Sequence, residues 1–577
     1  MMRLREIFRV LRLSLMVGLV SWAAASGAFA DSGVVEKTIR VEMRDGVELE
    51  AVLVLPSECG KYPTILVRTP YGRGQQSKEA RFWAENGYAV VVQDTRGKWG
   101  SNGEFLPFIN EYADGAETLD WIAAQPWSDG GVGMWGSSYL AFCQLLIASK
   151  GHPALKSIMP ISGWIQDDGA IEHGGATHIM LSIPWILHEE TQTRRSLRDF
   201  EMDELFEYLP LIEVFDSIGL DSKIWNEEFD FSSLLEHSAE NINVPALHLT
   251  GWNDFVCGAA LGVYEQAAGG RAGALQKLMV GPWFHDQFWT TYTEAGDEDF
   301  GPESAMGRER LMELSLEWFD RTLGQEAEGV ADWPQARLFV MGADEWRDYD
   351  DWPPDGLRRT KFFLGSVEGA NSSSGDGFLS TEAPKASNVD TYVFDPMNPV
   401  PTYGGANFHF MPHLLGVKDQ REIEERDDVL VYTSPALEEA MEIVGPIRAV
   451  LYASTEGLDT DFTAKLVEVR ANGYARIIEE GIIRASYRNG GDRELLNPGE
   501  IYRLTIDLGS TAIVIPKGHR LRLEVSSSNF PKYDRNPNTG EEPLEARVLK
   551  SVTQTVYHGG ERPSHVVLPV IQKKGES

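Results

Sequence analysis

The sequence predicts a two-part chain: an α/β domain on a mostly parallel sheet, carrying a helical insertion, followed by a β-sandwich. Three observations point to this. From Thr64 to Ile161 compact apolar segments alternate with helical stretches, and strand, helix, strand in succession implies a parallel sheet covered on both faces. An acidic span at about 163–243 with mostly helical patterning then interrupts the strands, as a cap over the strand ends would. From Gln335 onward the apolar pattern switches to period two, as in Leu504–Leu508 and Arg520–Val525, which is the signature of many half-buried strands packed as a sandwich. At 577 residues the chain exceeds what one core organises. The expected division is 31–330 for the α/β domain and 331–577 for the sandwich, of jelly-roll type.

The first 30 residues read differently. Arg3, Arg5, Arg9 and Arg12 precede an uncharged run, Leu13–Ala25, and Ala28-Phe29-Ala30 closes it before Asp31. A basic start, an apolar middle and an A-x-A end form a secretory leader, and the apolar run is shorter than a membrane-spanning helix requires. An exported protein, periplasmic or secreted, without stable membrane insertion is expected. The net charge of −35 opposes nucleic acid and anionic membrane surfaces as partners, because phosphate neutralisation would have the wrong sign. Cys59, Cys143 and Cys257, an odd number without C-x-x-C spacing, do not form a disulfide framework, although one bridge would be possible in an oxidising compartment.

In chain order, Val35–Val54 with its Arg44-Asp45-Gly46 turn reads as an antiparallel hairpin at the sheet edge. Strands follow at Thr64–Val67, Tyr88–Gln93, Val132–Trp135, Ser157–Ile161, Ala246–Thr250 and Leu278–Gly281. Helices are expected at Lys78–Asn86, Glu111–Ala124, after Tyr139, and at Arg308–Leu323; Leu197–Leu209, stopped by Pro210, falls within the cap. In the sandwich, Pro435–Glu442 has a helical pattern and Asn371–Gly377 that of a flexible loop.

Chemistry concentrates where strands end. Gly136-Ser137-Ser138-Tyr139 joins an apolar strand to an apolar helix, so the Ser138 hydroxyl should stand above the sheet at a helix N-terminus, where free N–H groups receive an oxyanion. This is a nucleophile elbow in which Leu140 replaces the second Gly of the G-x-S-x-G form. Acyl transfer by a serine also needs a base and a carboxylate to hold it. Asp254 follows the Ala246 strand and His285 the Leu278 strand, giving the order Ser, Asp, His of the α/β-hydrolase fold. Oxyanion donors are expected from the Tyr139 backbone N–H and from Tyr71, whose phenol is a stronger acid than an amide. Trp164, Trp252, Phe255, Trp283 and Phe284 flank this constellation and are candidates to line an apolar substrate pocket. His248 reads as a core residue, and His173, His178 and His188 lie in the cap within possible reach of substrate. No H-E-x-x-H spacing occurs, so neither a metal nor another cofactor is assigned.

Arg68-Thr69-Pro70-Tyr71-Gly72, Asp94-Thr95-Arg96-Gly97, Gly136–Ala141, Gly251-Trp252-Asn253-Asp254 and Gly281–His285 together resemble the cocaine esterase-like, X-Pro dipeptidyl-peptidase-like family of serine hydrolases. The resemblance extends through Met341–Arg347, Thr402–Gly405, Asp459–Phe462 and Asn529–Gly540, which look like that family's C-terminal jelly roll. It implies Ser138, Asp254 and His285 as a triad, with Tyr71 and the Tyr139 amide as the oxyanion hole. The family includes esterases, amide-cleaving acylases, α-amino acid ester hydrolases and X-prolyl dipeptidyl peptidases. Those that recognise a free amine need carboxylates in the acyl pocket, since a buried unpaired cation is costly. Here Phe255, Val256 and Cys257 follow the Asp, although Asp167 and Asp168 lie in the cap. Hydrolysis of small carboxylic esters is therefore the expected activity. The alternatives are an acylase acting on glutaryl or β-lactam side-chain amides, a dipeptidyl peptidase, and a non-catalytic carbohydrate-binding protein. The oligomeric state is left open.

Overall fold

The computed structural model describes residues 33–165, 171–191, 200–226, 238–323, 329–408 and 411–572; the leader expected at Met1–Ala30, Asp167 and Asp168 lie outside them. Ten strands form one sheet: β1 (Val35–Glu42), β2 (Glu48–Leu55), β3 (Tyr62–Thr69), β4 (Ala89–Asp94), β5 (Ser128–Ser137), β6 (Leu155–Ile161), β7 (Ala246–Gly251), β8 (Gln276–Gly281), β9 (Ala336–Val340) and β10 (Glu345–Tyr349). Their spatial order is β1-β2-β4-β3-β5-β6-β7-β8-β9-β10. From β4 to β9 neighbouring strands run parallel, while β1 to β2, β2 to β4 and β9 to β10 are antiparallel. Parallel strands buried on both faces need continuous apolar runs, and β4, Ala89-Val90-Val91-Val92-Gln93-Asp94, is buried along its whole length.

Helices α1 (Ser77–Glu85), α2 (Glu111–Ala123), α3 (Tyr139–Lys150), α4 (Ile179–Thr191), α5 (Met202–Glu207), α6 (Cys257–Gly269) and α7 (Gly307–Thr322) position the site. All of α3 but its last residue is buried, because it packs on the sheet beneath the cap. Ile183, Ile186 and Leu187 of α4 build the cap's own core with Leu205, Phe206 and Phe215, and Leu414 from the C-terminal half joins it. Of the helix expected at Leu197–Leu209, Met202–Glu207 is helical and 197–199 lie outside the described residues.

The sheet runs on past the expected change of domain at 330/331. Residues 336–340 pair in parallel with β8, and β10 closes the edge; their alternating pattern fits an edge strand of the first sheet as well as a sandwich strand. The remaining strands, from Leu357–Gly365 to His565–Ile571, form the C-terminal β-sandwich, a network of 11 strands centred on the long pair Met441–Thr455 and Tyr502–Ile515. The two halves share one apolar core, in which Trp252, Tyr264, Leu278 and Val280 lie with Leu364, Phe462, Ile513 and Leu523.

Candidate active site

β5 ends at Ser137 and α3 begins at Tyr139, so Ser138 occupies a one-residue turn with φ 59° and ψ −125°. This sparsely populated region is held because the Ser138 N–H donates to Ile161 O at 2.9 Å on the neighbouring strand. Gly136 permits the turn: its φ is +133°, and a Cβ there would lie 2.7 Å from the Leu140 side chain. Leu140, in place of the second Gly, thus folds back over the first. The backbone N–H of Tyr139 opens α3 with no carbonyl one turn earlier to receive it.

His285 and Asp254 come from the turns after β8 and β7, and each is only 1% exposed. His285 Nδ1 lies 2.9 Å from Asp254 Oδ1. That carboxylate also accepts from the Val256 N–H at 3.1 Å and, through Oδ2, from the Ser162 hydroxyl at 2.5 Å. A carboxylate on Nδ1 fixes the tautomer that leaves Nε2 free as a base. Burial alone would lower the His285 pKa; the Asp254 and Asp286 carboxylates outweigh it and hold the value above the usual 6.5. Ser138, His285 and Tyr71 line one cavity of about 430 Å³. The Tyr71 hydroxyl interacts with the Ser138 side chain and accepts from the Trp185 indole at 3.3 Å. Its pKa is raised by burial and by the Glu189 carboxylate, which keeps the phenol protonated and able to donate.

The sequence model of the X-Pro dipeptidyl-peptidase S15 family matches residues 45–287, and that of the X-Pro dipeptidyl-peptidase C-terminal non-catalytic domain matches 328–567. Cocaine esterase of Rhodococcus sp. is 37% identical, over 93% of this chain and 99% of its own. The chain belongs to the cocaine esterase-like, X-Pro dipeptidyl-peptidase-like family. It is a serine hydrolase of the esterase or peptidase kind. Among solved structures, an α-amino acid ester hydrolase aligns with TM-score 0.78 at 25% identity, over 96% of this chain and 99% of that one. An aminopeptidase from a Thaumarchaeota archaeon aligns with TM-score 0.81 at 24% identity over the same shares, and shows the fold alone.

In this cocaine esterase-like chain a second, smaller cavity adjoins Ser138, lined among others by Phe108, Tyr139, Trp164, Leu181, Trp185 and Phe255. Its volume is about 30 Å³. Trp164 and Phe255 therefore lie where an apolar pocket was expected; Trp252, Trp283 and Phe284 do not. The Trp252 indole donates to Phe339 O at 2.8 Å and its ring meets that of Trp352 at a tilt, in the core between the two halves. That of Trp283 donates to Ser304 O at 2.7 Å and its ring meets Trp346. Phe284 packs against the same inter-domain core as Trp252. Neighbouring the triad positions in sequence does not place a ring in the pocket, because these residues lie in the turns past Gly251 and Gly281, where strand alternation no longer sets the side-chain direction.

Of the cap histidines, His188 lines the larger cavity, whereas His173 bonds to Asp507 O and His178 packs between Phe255 and Tyr533. His248 is buried against Gln276. Cys59, Cys143 and Cys257 are free thiols. Sequence reasoning missed Ser162, Trp185 and Phe408. Phe408 comes from the C-terminal half, lies against the His285 and Phe255 rings (centroids 5.3 and 5.1 Å apart) and lines both cavities. Its only signal in the sequence is an aromatic three residues after the Thr402–Gly405 motif.

Proposed function

We propose that this chain is an exported carboxylic-ester hydrolase that works through an acyl-enzyme on Ser138, with His285 as base and Asp254 as its orienting carboxylate. The observation that carries the reading is the buried 2.9 Å contact of His285 with Asp254 on the rim of the cavity that Ser138 also lines. The Ser138 Oγ bonds to the ester carbonyl carbon while its proton passes to His285 Nε2, and the oxyanion lies between the Tyr71 hydroxyl and the Tyr139 N–H. The C–O bond to the leaving group breaks as His285 returns that proton to the departing oxygen. Water then adds to the acyl carbon as the same imidazole takes its proton, the bond from that carbon to Ser138 Oγ breaks, and His285 returns the proton to Oγ, which releases the acid and restores the serine.

The two cavities divide the substrate. His285 must protonate the leaving group, and it lines only the larger cavity; the leaving group belongs there and the acyl group in the aromatic one. Among the described residues no carboxylate lines the aromatic cavity, which favours an apolar acyl group over one bearing a free α-ammonium group. This weighs against the dipeptidyl-peptidase alternative, whereas ester and acylase substrates need no α-ammonium group and are told apart by assay. Export rests on the three-part leader of Met1–Ala30.

The test is Ser138→Ala on purified protein. p-Nitrophenyl butyrate turnover and fluorophosphonate labelling should both vanish; retained turnover refutes the assignment. Gly-Pro-p-nitroanilide and a glutaryl anilide beside matched esters decide between amide and ester cleavage.

A further inference from the structure

The Asp94–Gly97 motif supplies nothing to the triad, yet the loop it opens after β4 grips both sides of Tyr71. The first grip is Lys98, 2% exposed. Its ammonium forms an ion pair with Glu189 Oε2 at 2.6 Å and donates to Glu189 O at 2.9 Å. That carbonyl is among the last four of α4, which have no partner within the helix, and a cation there meets the negative end of the helix dipole. Removing one member of a buried ion pair strands the other, so α4 has one stable seat on the α/β half, with Glu189 on Lys98. One turn before Glu189 on the same helix stands Trp185, whose indole donates to the Tyr71 hydroxyl at 3.3 Å.

The second grip is Trp99. Its indole N–H donates to Pro70 O at 2.9 Å, and Gly72 lies so near that a Cβ there would be 2.8 Å from the Trp99 ring. The Trp99 backbone is left-handed, with φ 51°, which is rare for so large a side chain and persists only where the surroundings over-determine it. Tyr71 is thus fixed through its loop by Trp99 and through its hydroxyl by the helix that Lys98 seats. With the Trp185 N–H arriving on one side of the phenol oxygen, the phenol proton turns to the other side, toward the Ser138 side chain.

We infer that Lys98 and Trp99 are positioning residues for the oxyanion hole: they hold α4 and the Pro70–Gly72 loop where Trp185 donates to Tyr71 and Tyr71 donates to the oxyanion. The inference rests on Tyr71 as an oxyanion donor and adds what aims it. Neither residue lines the two cavities beside Ser138, so their loss is felt in turnover and not in substrate binding.

The experiment is a pair of double-mutant cycles on p-nitrophenyl butyrate. Lys98→Met and Trp99→Phe are each made in the wild-type chain and in Tyr71→Phe, with circular dichroism and the thermal midpoint as the measure of folding. In the wild-type background each variant should lower kcat about fivefold or more while KM stays within about twofold. In Tyr71→Phe, which has no phenol proton to aim, the further loss should shrink below about twofold. A residue that only stabilises the fold loses the same factor in both backgrounds. Trp99→Phe keeps a ring at a half-exposed position and removes the N–H to Pro70 O, so it carries the test should Lys98→Met fail to fold. Unchanged kcat in a folded variant, a loss expressed in KM alone, or an equal loss with and without the Tyr71 hydroxyl overturns the inference. Should Tyr71→Phe by itself leave kcat unchanged, the donor assignment and this inference fall together, and the triad reading stands as long as Ser138→Ala abolishes cleavage.

Discussion

At the scale of single residues the proposed chemistry depends on protons held in the right place. His285 acts as base only when neutral, and Asp254 with Asp286 holds its pKa above 6.5. A raised value means that the proton is lost later as pH rises, so kcat/KM should be full at alkaline pH and fall as pH drops through a midpoint above 6.5. A pH profile on p-nitrophenyl butyrate reads this directly, and a midpoint well below 6.5 contradicts it. Tyr71→Phe removes one oxyanion donor and should lower kcat about 10²–10³-fold with little change in KM. Ser162→Ala removes the 2.5 Å hydrogen bond to Asp254 and should cost about tenfold in kcat/KM, of the order expected for a hydrogen bond to a charged group. Ser138, Asp254 and His285 were legible because each stands in the turn after its own strand. Ser162 was not, because it reaches Asp254 only through the side-by-side placement of β6 and β7 in the sheet, which no local pattern announces.

At the scale of elements, the elbow is braced from behind. Arg68 at the end of β3 and Glu111 at the start of α2 form a buried pair at 2.5 Å, and Glu111 also accepts from the Tyr139 hydroxyl at 2.9 Å. The same phenol oxygen accepts from the Phe108 N–H at 3.0 Å. One carboxylate thereby ties β3, α2 and the first residue of α3 together, which explains the arginine of the Arg68–Gly72 motif as structural rather than catalytic. Glu111→Gln leaves the Arg68 charge buried with Asp114 at 3.8 Å as its remaining ion-pair partner. It should destabilise the fold by about 3 kcal/mol, read as a lower urea midpoint at unchanged slope. Strands and helices of the first domain were readable from apolar periodicity, and local signals failed where tertiary partners decide. Pro435–Glu442 has helical spacing, yet the Ser434 and Leu437 N–H groups donate to Leu521 and His519 at 2.8 Å and strand begins at Met441. The Ser- and Gly-rich loop at Asn371–Gly377, read as flexible, is pinned by Asp376, whose carboxylate accepts from the Val367, Glu368 and Gly369 N–H groups.

At the scale of the whole molecule, the sandwich completes the catalytic half rather than trailing from it. Gly342, with φ +76°, brings the chain so close to the sandwich that a Cβ would lie 2.4 Å from Val514 O. Met341 then pairs across the junction, donating to Ala512 O at 2.9 Å and accepting from the Val514 N–H at 2.8 Å. The cap is tied to the sandwich as well: the Thr177 N–H donates to Asp534 at 2.8 Å, and Arg484, paired with Asp461 and Asp534, donates to Gly175 O. Period-two patterning announced the sandwich, but nothing local in the sequence announced that it would supply Phe408 to the site or share its core. A chain stopped after residue 352 keeps Ser138, Asp254, His285, Tyr71 and all ten strands of the first sheet. It loses Phe408 and uncovers Trp252, Leu278, Val280, Leu338 and Val340, which lie in the shared core. Exposed apolar surface of that kind drives association, so the truncated chain should elute as aggregate in size-exclusion chromatography and cleave p-nitrophenyl butyrate at least a hundredfold more slowly than the intact chain. A monomeric truncation with intact turnover would show that the α/β half folds and acts alone, and that the shared core is an accessory contact.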